Sequence, residues 1–257
     1  MKVRLLGSGT SSGVPRLGAN GPDWGDCDPN EPKNRRMRAS LIVESGATRL
    51  LIDTSPDLRQ QLLDAGAPRI DAVLWTHEHA DHCHGIDDLR PVFLTQGKPV
   101  PCYARPDAWR RLTNRFSYAW AGNGAYPALL AGQAITGPMM IGDIRIDSID
   151  MPHGGITTAG LRFIIGGKKC GYATDFAQFT GAMVSFFSGL DLLVIDALRR
   201  KPHPTHPHLA MTLDAIAQTQ PKHAVLMHMD SSMDYATLCS ELPANVEPGF
   251  DGMEMIV

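Results

Sequence analysis

The chain has little cysteine, no strong charge of either sign and no long hydrophobic run, and each shortage removes a class of protein. Its cysteines, Cys27, Cys83, Cys102, Cys170 and Cys239, are five scattered over 257 residues with no C-x-x-C pair. Disulfide frameworks belong to small secreted domains, so an odd, scattered set in a chain this long reads as thiols in a reducing cytoplasm. Lys and Arg number 24 against 27 Asp and Glu, a formal charge of −3. Without a basic excess, a long nucleic acid is not the expected partner. No stretch approaches the ~20 apolar residues of a membrane span. The opening Met-Lys-Val-Arg-Leu-Leu-Gly has too short an apolar run for a signal peptide. What is left is a globular composition, 43% hydrophobic and 20% charged, in a chain long enough to bury a substantial core.

Apolar patterning, punctuated by Gly and Pro, predicts the elements. Strands are expected over Val3–Leu6, Ser40–Glu44, Arg49–Ile52, Asp71–Thr76 and Val100–Ala104. In the second half they are expected over Ile144–Asp150, Ala159–Ile165, Lys169–Ala173, Asp191–Ile195, Ala224–Met227 and Met253–Val257. Ser45-Gly46-Ala47 predicts a hairpin. Helices are expected over Asp57–Ala65, between Pro56 and a terminating Gly66, from His82 or His84 onward, and over Pro106–Phe116, Gln178–Phe187, Leu209–Gln218 and Met233–Leu242. The segment to Arg38, rich in Gly, Pro, Asn, Asp and Arg, reads as a long ordered loop. Ser117–Gly132 carries Tyr118, Trp120, Tyr126 and Pro127 among small residues. It reads as an irregular excursion that serves as a lid, as a homodimer contact or as an ordinary core patch. Antiparallel pairs in each half, with helices between, suggest two sheets packed face to face and covered outside by helices. No low-complexity linker divides the chain, so one domain over residues 1–257 is expected.

The chemistry concentrates in Thr76-His77-Glu78-His79-Ala80-Asp81-His82, three imidazoles and two carboxylates in seven residues. Imidazole with carboxylate suits zinc, iron or manganese. His77 and His79 project to one side of an extended segment, because side chains alternate. Asp81 and His82 then lie in the turn and can face a second ion. Four ligands cannot complete two sites, and the chain offers others just past apolar strands: His153, Asp175 and His228. A lone His-x-His is usually incidental; the full segment with three further candidates in order is not. Cys83 and His84 read as packing or loop contacts, and His223 as a surface residue.

This pattern resembles the metallo-β-lactamase superfamily, marked by His-x-His-x-Asp-His and a later His, Asp and His, and the likeness covers nearly the whole chain. The resemblance implies an α/β (α+β) fold, a four-layer αββα sandwich of two mixed β-sheets. It implies two divalent metal ions, zinc or manganese first and iron as a further option. His77, His79 and His153 would hold one ion and Asp81, His82 and His228 the other, with Asp175 and a water or hydroxide bridging them. Asp53, in Leu-Leu-Ile-Asp-Thr, matches the family's buried Asp that orients the His loop without binding metal.

The opening Leu-Gly-Ser-Gly-Thr-Ser-Ser-Gly-Val-Pro and the ending Pro248-Gly-Phe-Asp-Gly-Met-Glu-Met are similar to the phosphodiesterase branch containing ribonuclease Z and the PhnP-type phosphoribosyl 1,2-cyclic phosphate phosphodiesterases. No long tRNA-gripping arm is visible. PhnP-type chains often carry a Cys-x-Cys-x-x-Cys cluster for a structural zinc. Here that region holds Cys27 alone, which cannot make a closed four-ligand site, so the loop must be held by its own packing. The reading is a hydrolase of a small phosphate ester, a cyclic phosphate included, attacked by a metal-bridging hydroxide. The alternatives are a thiolester or lactone hydrolase and a di-iron redox protein. Asp81 is a catalytic candidate beside the metals. The general acid is expected in the loop Lys201–His208, with His206 favoured, then His208, then His203, against a solvated His-Pro loop.

Overall fold

The apolar runs form two seven-stranded sheets. The computed structural model describes residues 1–67, 69–122 and 125–257. Strand β1 (Lys2–Gly7) leads into a small ribbon, β2 (Arg16–Gly18) and β3 (Gly21–Asp23). Then come β4 (Ser40–Glu44), β5 (Arg49–Ile52), β6 (Ala72–Trp75), β7 (Val100–Ala104) and β8 (Leu130–Ala134). The second sheet takes β9 (Met139–Ile141), β10 (Ile144–His153), β11 (Ile156–Ile165), β12 (Lys168–Ala173), β13 (Leu192–Asp196), β14 (His223–Met227) and β15 (Val246–Pro248), while β16 (Glu254–Ile256) returns to the first. The orders are β16-β1-β4-β5-β6-β7-β8 and β15-β14-β13-β12-β11-β10-β9. Both sheets are mixed. β5 to β8 and β12 to β15 run parallel to their neighbours, and the remaining pairs are antiparallel, including the β4–β5 hairpin.

The central strands are apolar on both faces because both faces are covered. In β6, Ala72 and Leu74 enter the core between the sheets, while Val73 and Trp75 face outward into a second cluster. In β13, Leu192 and Val194 point inward, and Leu193 and Ile195 join a third cluster. Helices α1 (Leu58–Ala65), α3 (Arg90–Gln96), α4 (Pro106–Arg115) and α5 (Ser117–Ala121) cover the first sheet, with the short α2 (Ala80–Cys83) between α1 and α3 in sequence. Helices α6 (Gly181–Phe187), α7 (Leu209–Thr219) and α8 (Tyr235–Glu241) cover the second. The result is the expected αββα sandwich. Among the described residues, no helix is long and apolar enough to cross a membrane.

Three expectations change. The helix after the His segment begins at Ala80, ahead of His82 and His84, because the backbone turns helical directly after the extended His79. Ser117–Gly132 is less irregular than its composition suggests: it contains α5 and the start of β8, while Asn123 and Gly124 lie outside the described residues. Trp120 gives the segment its core contact, 6.0 Å from Trp75 and 5.6 Å from Trp109. The segment before Arg38 also has regular parts, the β2–β3 ribbon and a 3-10 turn at Pro32–Asn34. Its anchor is Arg36, a guanidinium only 3% exposed. Arg36 donates to the carbonyls of Met233 at 2.6 Å and Asp230 at 3.3 Å, to Asn34 Oδ1 at 3.3 Å and to Cys27 Sγ at 3.6 Å. A delocalised cation with five donors can tie several loops at once.

Candidate metal centre

Parallel strands end on the same side of a sheet, and these ends carry the candidate residues. Asp53 follows β5, and His77 to His82 follow β6. In the second sheet, Asp175 follows β12, Asp196 ends β13 and His228 follows β14. β10 runs parallel to β12, since each is antiparallel to β11, so His153 ends at the same edge. Three of these turns are conformationally costly. Asp53, Asp175 and His228 have φ of +61°, +58° and +58°. Non-glycine residues seldom adopt that region, and where they do the surrounding structure must hold them.

The seven side chains named as metal ligands converge. His77, His79 and His153 form one group whose ligand atoms lie within 4.8 Å of one another; Asp81, His82 and His228 form another. Asp175 lies between them. Its Oδ2 is 3.2 Å from His82 Nε2, and its Oδ1 is 3.9 Å from His77 Nε2, 3.8 Å from His153 Nε2 and 3.7 Å from His228 Nε2. His79 is exposed and Asp81 half-buried, while the other five are buried.

Neighbours fix the rings. His82 Nδ1 donates to Asp53 Oδ2 at 2.8 Å, and His153 Nδ1 donates to the Thr205 carbonyl at 2.8 Å. His77 Nδ1 is 3.0 Å from Thr76 Oγ1. Each contact occupies Nδ1 and leaves Nε2 aimed into the site. Asp53 also accepts from Thr76 N at 2.7 Å and Thr76 Oγ1 at 2.8 Å. It thus grips the first residue of the His segment and the last.

This chemistry fits cations. His77 Nε2 is buried without a hydrogen-bond partner, a costly state unless something else engages its lone pair. The charge balance agrees. Burial alone would push the His82 pKa down, but the carboxylates of Asp175, Asp81 and Asp53 override it and hold it well above the ordinary imidazole value. Burial likewise opposes a charge on His228, yet Asp175, Asp196 and Asp81 lift it to about 9. Burial would raise Asp175, but His228 and His82 draw it well below the carboxylate range. The buried carboxylates thus create a demand for positive charge at this point. Divalent cations would meet it with those rings neutral.

Of the His-Pro loop, His206 reaches the cluster. It stacks on His228 with ring centroids 5.0 Å apart and lies 3.6 Å from Asp175 Oδ1. His203 stands behind it, its ring 5.2 Å from His206. His208 sets the start of α7 and is not part of the cluster.

Sequence reasoning missed Asp196. It is fully buried, accepts from His206 Nδ1 at 3.1 Å and from Asp175 N at 3.0 Å, and lies 3.7 Å from His228 Nδ1. Burial raises its pKa against the pull of His228 and His206. A signal was present: Leu-Leu-Val-Ile-Asp196 repeats the pattern of Leu-Leu-Ile-Asp53, an apolar strand ending in a carboxylate.

Comparison with known proteins bears on this arrangement. A family model described as "Beta-lactamase superfamily domain" matches residues 48–229. The crystal structure of a new diphosphatase from the PhnP family superposes on 100% of this chain and 97% of its own, with 33% identity and a TM-score of 0.88. Zinc-bound PqqB from Methylobacterium extorquens superposes over 100% of both chains with 21% identity and a TM-score of 0.82, a likeness of fold. An octanoyltransferase of Porphyromonas gingivalis is 33% identical over 267 residues, covering 100% of this chain and 52% of that protein. The chain therefore spans about half the length of that curated relative.

Proposed function

The chain belongs to the metallo-β-lactamase superfamily of metal-dependent hydrolases, and on that footing we propose that it cleaves a small phosphodiester, with a cyclic phosphate as the preferred form, using two divalent ions. His77, His79 and His153 would hold one ion and Asp81, His82 and His228 the other, with Asp175 shared. Zinc and manganese suit this donor set best. When bound, such a pair acidifies water and neutralises charge developing on phosphoryl oxygens. All five cysteines are unpaired, which supports a reducing cytoplasm.

The protein's own groups do the rest. Asp53 holds the His segment through Thr76 and His82. Asp196 accepts from His206 Nδ1 and leaves Nε2 as the nitrogen that hands a proton to the leaving oxygen. The His206–Asp196 pair, packed against Asp175, is the observation that carries the choice of substrate. An alkoxide needs that proton, whereas a thiol, with a pKa of about 8.5, departs without help. The likeness to the PhnP-family diphosphatase supports P–O cleavage. Thiolester or lactone hydrolysis is the second reading, and the match to an octanoyltransferase, of which this chain spans about half, supports its thiolester form.

Stripping the chain of metal and restoring zinc or manganese tests both. Hydrolysis of bis-p-nitrophenyl phosphate should appear with metal, alongside no cleavage of an S-acyl thioester. Thioester cleavage without phosphodiester cleavage would transfer the assignment to the second reading. A metal-loaded chain inert toward both would remove it.

A further inference from the structure

Glu78 sits between two of the site histidines and takes no part in the cluster. Alternation explains where it goes: with His77 and His79 turned into the site, Glu78 is sent to the other side. There it is 5% exposed, and a carboxylate so buried requires a partner. Helix α4 supplies one. Arg111 and Arg115 are four residues apart, hence on one face of that helix. Arg111 Nη1 donates to Glu78 Oε1 at 2.8 Å. Arg115 Nη1 donates to the Glu78 carbonyl at 2.6 Å and reaches Cys83 Sγ at 3.6 Å. Cys83 Sγ donates to the same carbonyl at 3.4 Å.

The two arginines thus grip the residue before His79 and the residue after His82. The span between carries His79, which is exposed, and Asp81, which is half-buried. Buried ligands such as His77 and His82 are held by packing and by Asp53. Among the described residues, His79 and Asp81 meet only other members of the cluster, His153 for the one and His82 and His228 for the other, so their aim depends on the backbone that carries them. We propose that Arg111 and Arg115 are positioning residues for metal binding, acting through Glu78 and Cys83 to fix the backbone of the His segment. This rests on the metal-site reading above.

The test is metal affinity, measured on the full chain by competing Zn2+ against a chromophoric chelator, with the visible spectrum of the Co2+-loaded protein as a second readout. Loss of such an outer support costs about 10–100-fold in metal affinity. The Arg111→Met/Arg115→Met double variant should weaken Zn2+ binding by that factor and alter the Co2+ spectrum. Arg115→Lys should restore part of the affinity, and Arg110→Met, which removes the exposed Arg110–Asp107 pair on the same helix, should change nothing. Should the double variant fail to fold, Glu78→Gln and Arg115→Met give the same readouts singly. Wild-type affinity and spectrum in the charge-removing variants, whatever their thermal midpoint, overturns the positioning role alone. A wild-type chain that takes up neither Zn2+ nor Co2+ overturns this role and the metal-site reading together.

Discussion

His206 and Asp196 are where the proposed chemistry is most exposed to test. His206 is oriented by a single carboxylate, with its ring stacked against His228. Replacing His206 with Ala should lower turnover of a phosphodiester by about 10²–10⁴-fold, the usual weight of an acid–base group, while metal analysis shows unchanged content. Asp196→Asn should move kcat in the same direction, because an amide can present its nitrogen to the ring and select the other tautomer. Unchanged turnover in His206→Ala would shift the proton-donor role to another group. The histidines were legible because a dense His/Asp segment is rare. Asp196 was not, although Leu-Leu-Val-Ile-Asp196 repeats the Leu-Leu-Ile-Asp53 pattern, because an apolar strand ending in one carboxylate does not by itself say which side chain it will meet.

At the level of elements, the site depends on how strands hand over to loops. The segment after β6 is pinned from two directions: Asp53 accepts from Thr76 and His82, and the main chain of Thr54 donates to His82 O and accepts from Gly85 N. Gly85 is glycine because a methyl group there would overlap the Ser55 carbonyl oxygen and crowd Leu58. Gly85→Ala should therefore destabilise the fold by about 1–3 kcal/mol, the range for overpacking. It should also weaken metal binding, read by a thermal midpoint and a chelator competition; a neutral substitution would show the loop is not held at that contact. Strand cores and the β4–β5 hairpin were readable from apolar runs and the Ser-Gly-Ala turn. The α5–β8 segment was not, because its order comes from Trp120 meeting Trp75 and Trp109 rather than from any period of its own.

At the scale of the molecule, the candidate centre is the seam between two sheets. The first sheet contributes His77, His79, Asp81 and His82, and the second His153, Asp175 and His228. Main-chain hydrogen bonds also cross the seam: Ala159 N donates to Thr76 O at 2.9 Å, Met229 N to Ser8 O at 2.9 Å and Thr10 N to Met229 O at 3.2 Å. Ions held from both sides would add cross-links present only in the folded state. At a free metal concentration 100 times Kd, binding should stabilise the chain by about 2.7 kcal/mol, one site counted. Chelator should lower the thermal midpoint, and readded zinc or manganese should restore it. A midpoint indifferent to metal would mean that the seam holds no ion.

The sequence by itself determined the strand cores and the packed imidazole–carboxylate segment, which leave local traces in residue order, and its resemblance to a known family pointed to the four layers and to His153, Asp175 and His228 as the further ligands. Only the tertiary structure decided which His of the His-Pro loop reaches the centre, that Asp196 backs it, and that Arg111 and Arg115 brace the segment from behind. Those choices depend on contacts between residues distant along the chain, and such contacts exist only once both sheets have folded and met.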